Sequence, residues 1–237
     1  MNKLHNITGV IFDYGGTIDS RAIHWSEILW AGYQYMEVPV TKEQFRECYV
    51  HAERELARVR HILPNDDFLD LLRKKVNIEL DYLVAAGIIT SNDEVTSEGI
   101  AQYCYKQARE CVEEARPVLE ALSQRYPMML VSNFYGNVDS VLRDFDLRRY
   151  FKGVIESAVV GVRKPNPTLF RLGVDALEMD ASNVVVIGDS LTKDIIPAES
   201  LGCQVLWIKG KGWTTDEDAA THPNAITSIL QVPDLVL

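Results

Sequence analysis

The sequence predicts an α/β fold: a doubly wound parallel sheet whose first strand is separated from the others by a long helical insert. Three observations carry this. Four short apolar runs, each closed by small or polar residues, have the continuity of strands buried on both faces. Helical patterns alternate with the later runs, as in a parallel sheet covered on both sides. The stretch from about residue 20 to residue 111 shows helical spacing with no strand-like alternation.

The first run is Gly9-Val10-Ile11-Phe12, ending at Asp13 and followed by Tyr14-Gly15-Gly16-Thr17. Helical patterns then cover Ile23 to Met36, Thr41 to Val59, Phe68 to Ala85 and roughly Glu98 to Glu114. In the second of these, Thr41-Lys42-Glu43-Gln44 is a capping box, and Phe45, Cys48, Tyr49, Ala52, Leu56 and Val59 recur at three- and four-residue spacing along one buried face. Pro64-Asn65-Asp66 and Gly87 read as connectors. A helix from Pro117 to Arg125, with proline at its first position, precedes the run Met128-Met129-Leu130-Val131 and its Ser132-Asn133. Pro167 to Leu177 is helical and leads to Val184-Val185-Val186-Ile187 before Gly188-Asp189. Asp194 to Leu201, closed by Gly202, precedes Val205-Leu206-Trp207-Ile208. A Rossmann-like core is therefore expected over residues 1–19 and 112–237, with the helical insert over 20–111.

Composition narrows the function. The chain has 237 residues, 24 basic against 34 acidic, a net charge of −10, and 47% apolar residues, enough for a conventional core. That charge argues against nucleic acid as a partner, since duplex binding needs clustered cations. Cys48, Cys104, Cys111 and Cys203 form no C-x-x-C pair and read as reduced thiols. Polar residues interrupt any N-terminal apolar segment, and no stretch has the length of a membrane span, so a soluble cytoplasmic protein with no membrane partner is expected.

Asp13, Ser132 and Asp189 each follow or close an apolar strand, at the sheet edge where ligands bind in doubly wound folds. Lys164, in Gly161-Val162-Arg163-Lys164-Pro165, is a fourth candidate. Two carboxylates, a hydroxyl and an ammonium describe a site for Mg²⁺ and phosphate, because hard cations take oxygen ligands and lysine acts as a point charge.

Those segments bear a family likeness. Phe12-Asp13-Tyr14-Gly15-Gly16-Thr17-Ile18-Asp19-Ser20 resembles the first motif of the haloacid dehalogenase-like hydrolases, and Val131-Ser132-Asn133 the second. Gly161 to Pro165, with Pro167 and Phe170, resembles the third; Gly188-Asp189-Ser190-Leu191-Thr192-Lys193-Asp194 resembles the fourth. Order and spacing agree from about residue 8 to residue 212. The insert is similar in position and character to the family's C1 cap. The resemblance implies a Mg²⁺-dependent phosphatase of a small phosphorylated metabolite, with Asp13 as nucleophile forming an aspartyl-phosphate. It implies Asp13, the Gly15 carbonyl, Asp189 and Asp194 at the metal, and Thr17, Ser132, Asn133 and Lys164 on the phosphoryl oxygens.

The sequence departs from the family at Gly15, where the usual phosphatase carries a second Asp that protonates the leaving oxygen. A positioned acid–base is worth about 10²–10⁴-fold. Three readings follow: a leaving group that departs unprotonated, a cap residue that supplies the proton, or another chemistry. Relatives without this acid include dehalogenases, which work without magnesium and so sit poorly with the Asp189/Asp194 pair. They also include phosphonate-cleaving enzymes, which need a cap lysine; Lys42, Lys74, Lys75 and Lys106 are the candidates, each in polar surroundings by sequence. A non-catalytic phosphometabolite sensor is the remaining alternative.

Other features read as structural. Gly188-Asp189-Ser190-Leu191 also spells a serine-esterase signature, but Ala219 rather than Asp stands three residues before the only downstream histidine, His222. His5, His24, His51 and His61 lack metal-ligand spacing, Trp25, Trp30, Tyr33 and Tyr35 are expected inside the cap, and Lys209-Gly210-Lys211-Gly212 is a turn.

Overall fold

The computed structural model describes residues 3–237. Strand β1 (Gly9–Phe12) is followed by four helices, α1 (Trp25–Tyr35), α2 (Lys42–Arg58), α3 (Phe68–Ala85) and α4 (Glu94–Ser123). The chain then alternates: β2 (Met128–Ser132), α5 (Val138–Asp144), β3 (Gly153–Glu156), α6 (Ser157–Val160), α7 (Thr168–Leu177), β4 (Val184–Gly188), α8 (Ile196–Ser200), β5 (Gln204–Ile208), α9 (Thr215–Ala219), β6 (Ala225–Ile226) and α10 (Val232–Val236). The strands form one parallel sheet in the order β3-β2-β1-β4-β5-β6. The fold is the doubly wound α/β architecture that the apolar runs predict.

β1, β2, β4 and β5 are the predicted strands; β3 and β6 are additional. Both sit at sheet edges, where a strand needs no apolar residue on both faces. Three of the four β3 residues are half-buried, and β6 has two residues, so neither forms a continuous apolar run.

Side chains alternate across the sheet and divide the core in two. Val10, Phe12, Leu130 and Ile187 face α4, α5 and α10. Ile11, Val131, Val186 and Val205 face α7 and α8.

The insert helices are capped as their sequences allow. The Thr41 hydroxyl accepts from Gln44 N–H at 3.3 Å while Gln44 Oε1 accepts from Thr41 N–H at 2.8 Å. Asp67 and Asp93 cap α3 and α4 through side-chain acceptance from Asp70 and Thr96 N–H.

α4 departs from expectation. The two helices expected over Glu98 to Glu114 and Pro117 to Arg125 are one helix of 30 residues with Pro117 inside it, about 45 Å long at 1.5 Å per residue. An interior proline removes one hydrogen bond and costs roughly 3 kcal/mol. Val112, Ala115, Val118, Leu119 and Leu122, all buried at three- and four-residue spacing around it, offset that cost. The boundary expected between residues 111 and 112 thus falls within a continuous helix.

Candidate active site

The strand order reverses between β1 and β4, and the C-terminal ends of these two strands open the crevice where doubly wound folds bind ligands. Phe12 pairs with both Leu130 and Ile187, so Asp13, Ser132 and Asp189 emerge at nearly one level. Asp13 N–H donates to the Ile187 carbonyl at 2.9 Å, which extends β1 pairing to the aspartate itself.

Lys164 Nζ, buried beneath these strand ends, donates to Asp13 Oδ1 at 2.6 Å and to Asp194 Oδ1 at 2.7 Å. The Ser132 hydroxyl donates to the same Asp13 oxygen at 3.0 Å. The Thr17 hydroxyl lies 3.2 Å from Asp13 Oδ2 and 3.3 Å from Asp189 Oδ1. Asp194, on a π-helical turn after β4, accepts from Ser190 N–H at 3.0 Å. Asn133 lines the same cavity, its amide clasping the Lys164 backbone: Oδ1 accepts from Lys164 N–H at 2.9 Å and Nδ2 donates to its carbonyl at 3.2 Å.

One oxygen from each of Asp13, Asp189 and Asp194 lies within 4.8 Å of the others. Burial, then the neighbouring carboxylates Asp194 and Asp13, hold Asp189 well above the usual carboxylate range. Asp194 is also raised, by burial first, with Lys164 opposing the shift. Burial alone would pull Lys164 down, but its two carboxylate partners outweigh it and the ammonium is retained. Such a crowded, all-oxygen set is suited to a hard divalent cation. Millimolar Mg²⁺ is accordingly expected to raise the thermal midpoint, by the equivalent of about 2.7 kcal/mol at a hundredfold excess over Kd. Asp189→Asn should remove most of that increment in a thermal-shift titration; an equal rise in the variant would count against the cluster.

Two glycines are required by this crowding. Gly16 has φ +95°, and a Cβ there would lie 2.3 Å from Asp189 Oδ2. At Gly188 a Cβ would meet the Asp194 Cβ at 2.5 Å. Gly15 differs: a Cβ would meet nothing within 4 Å, so the absent acid leaves open space.

The insert roofs the crevice, leaving a cleft-like cavity of about 420 Å³ lined by Asp13, Ser132, Lys164, Asp189 and Asp194. Several roof and wall residues were not marked by sequence as functional. Asp19 is fully buried, accepts from Gly16 N–H at 2.7 Å and Trp25 Nε1–H at 3.1 Å, and burial above all pushes it up to about 7. Lys75, expected on a polar face, lies instead on the buried stripe of α3 with Leu71, Leu72 and Val76. It is paired with Glu53, which also accepts from the Tyr135 hydroxyl at 3.0 Å. The available signal was a lysine at helical spacing among apolar residues. His24 also lines the cavity, with burial lowering it to about 4, so its imidazole is neutral.

Of the four aromatics expected inside the insert, Tyr33 is buried there and Trp30 packs on Phe45. Trp25 lines the cavity instead, and Tyr35 is 67% exposed, stacked on Tyr103. The esterase arrangement is absent among the described residues: His222 pairs with Glu199 and does not line the cavity, while the Ser190 hydroxyl caps Lys193 N–H.

Fold and site together place the chain in the class of α/β enzymes that work at the carboxyl edge of a parallel sheet. The family model for haloacid dehalogenase-like hydrolases matches residues 7–202, and the chain belongs to that family. Among its relatives, the glyceraldehyde 3-phosphate phosphatase of Pyrococcus abyssi is 28% identical over 166 residues, covering 64% of this chain and 69% of its own. The protein of the same name from Pyrococcus furiosus is 24% identical over 195 residues, covering 75% and 79%. The putative HAD-hydrolase YfnB of Bacillus subtilis, solved bound to magnesium, superposes with a TM-score of 0.59 at 19% identity over 97% of this chain and 98% of that one. A dehalogenase solved as an intermediate complex gives 0.63 at 15% identity, over 100% and 98%.

Proposed function

We infer that this hydrolase is a Mg²⁺-dependent phosphatase of a small phosphorylated metabolite, working through an aspartyl-phosphate on Asp13. The observation that carries the reading is the environment of Asp13: one oxygen held by Lys164 and Ser132, inside a three-carboxylate cluster at the sheet's switch point. The phosphatase names of the two Pyrococcus relatives support it. Residues 20–111 would serve as the cap over a core of 1–19 and 112–237, in a cytoplasmic protein. Among the described residues no helix is long and apolar enough to cross a membrane.

Asp13, Asp189, Asp194 and the Gly15 carbonyl would hold Mg²⁺, whose bound charge neutralises phosphoryl oxygens. Asp13 Oδ1 takes the Ser132 and Lys164 donors, which leaves Oδ2 as the freer oxygen for attack on phosphorus. As the Asp13 O–P bond forms, the bond from phosphorus to the leaving oxygen breaks and its electron pair departs with that oxygen. Water then attacks phosphorus, the Asp13 O–P bond breaks with its electron pair restoring the carboxylate, and the water's proton leaves on the released phosphate. Lys164 and Ser132 hold Asp13 in place and, with Thr17, present donors to the transferring oxygens; positioning and charge are what this chemistry needs. Asn133 would add its remaining amide capacity while fixing Lys164.

With glycine at position 15, substrates whose leaving group departs unprotonated are favoured, such as acyl phosphates, which expel a carboxylate. Acetyl phosphate should release inorganic phosphate in a Mg²⁺-dependent reaction, and absence of release would overturn the reading. Because position 15 opens on free space, Gly15→Asp should raise alkyl-phosphate turnover relative to acetyl phosphate by about 10²-fold or more. An unchanged ratio would show that another group already supplies the proton. Carbon–phosphorus cleavage through a cap amine is disfavoured. Of the four cap lysines only Lys75 lines the cavity; burial would pull it down, but Glu53 with Tyr135, Tyr49 and Glu79 together raise it and hold it as an ammonium, whereas a Schiff base needs the free amine.

A further inference from the structure

The cavity is larger and more apolar than a three-carbon phosphate requires. Its volume of about 420 Å³ lies within the range of pockets that enclose ligands of drug size, roughly 300–1,000 Å³. Beyond the carboxylate floor, its apolar wall includes Trp25 from α1, Tyr49 from α2, Phe68, Leu71 and Leu72 from α3, and Phe134 from the loop after β2. The Trp25 and Phe68 rings meet edge to face at 5.3 Å, giving a rigid aromatic corner. These side chains offer a ring more apolar contact than a short polyol can use. Among the polar groups that share the cavity, which include His24, Lys75 and Tyr135, Glu53 is a half-buried acceptor. Its carboxylate receives Lys75 and the Tyr135 hydroxyl and, with about four lone-pair sites, retains capacity for a further donor.

We propose that the pocket selects phosphate esters whose leaving group is an aromatic or heteroaromatic body bearing a hydrogen-bond donor, the ring lying against the Trp25–Phe68 corner and the donor reaching Glu53. This rests on the phosphatase reading and sharpens it, and it departs from the triose substrate in the names of the Pyrococcus relatives. A ring buries its faces against these walls, and Glu53 rewards a donor at its far edge. Lys75, neutralised by Glu53, is not left to recruit a second anionic group.

The test compares esters that all leave from a primary carbinol, so that leaving-group reactivity does not bias the outcome: pyridoxal 5′-phosphate and uridine 5′-monophosphate against glycerol 3-phosphate and glyceraldehyde 3-phosphate. The ring-bearing pair should show kcat/KM higher by about tenfold or more, the discrimination a shaped apolar pocket supplies. Equal or lower values would overturn the proposal. Leu71→Trp, which fills the cavity, should lower kcat/KM for the ring-bearing esters about tenfold relative to acetyl phosphate. An unchanged ratio would overturn the placement. Should that variant not fold, inhibition of the unaltered enzyme by uridine and pyridoxine, but not by glycerol, reads the same pocket, and no difference among them counts against it. If no substrate, acetyl phosphate included, releases phosphate, the hydrolytic reading fails separately. Calorimetric binding of the ring alcohols then decides the pocket: binding supports it and no heat overturns it.

Discussion

Asp13→Asn is expected to abolish both turnover and adduct formation. With a labelled phosphoryl donor or with beryllium fluoride and Mg²⁺, the unaltered protein should acquire one stoichiometric adduct. The variant should acquire none and lose about 10⁴-fold or more in kcat, the scale seen when a covalent nucleophile is removed. The amide keeps the shape of the carboxylate and can still accept from Ser132 and Lys164, so folding should survive. That separates this prediction from a stability effect. An adduct that persists in the variant would move the nucleophile elsewhere. A protein that binds phosphometabolites yet never forms an Asp13-dependent adduct would be a sensor and not a hydrolase.

Lys164→Met should have the largest effect on stability. Its ammonium is 2% exposed and is shared by two carboxylates, Asp13 and Asp194, themselves nearly buried. Removing one partner of a buried ion pair costs roughly 3–5 kcal/mol because the other charge is stranded. For a chain of this size that is a fall in Tm on the order of 10 °C. The carboxylate cluster adds a condition: a divalent cation would take over part of the neutralisation, so the fall should be smaller in Mg²⁺ than in a chelator. Scanning calorimetry under both conditions checks this. Equal losses would mean that Lys164 and the cation do not share the same carboxylates.

Much of this arrangement is legible in the residues because buried parallel strands need continuous apolar runs, and such runs end abruptly where polar side chains meet the crevice. Asp13, Ser132 and Asp189 stand out for that reason, and the structure gathers them with Thr17, Lys164 and Asp194. What escapes the reading lacks such contrast. β3 and β6 lie at sheet edges where short, half-exposed strands suffice. Pro117 looks like a helix start because its cost in mid-helix is local, whereas the burial that offsets it involves residues on both sides. Lys75 and Glu53 come from different helices and make sense only as a pair. The shape of the cavity depends on how α1, α2 and α3 sit over the sheet, which no local pattern encodes.

The unbroken α4 bears on how such an enzyme diversifies. An insert joined to its host by two loops can be exchanged like a cassette, with either junction tolerating replacement. Here one junction is the loop after β1, but the other runs down a helix whose far turns are part of the sheet's own covering layer. A graft cut at residue 111 would sever that helix mid-course and expose its buried face. Transplanting a foreign lid, or shuffling this one onto another scaffold, would need its seam placed beyond Ser123, carrying along a piece of the host.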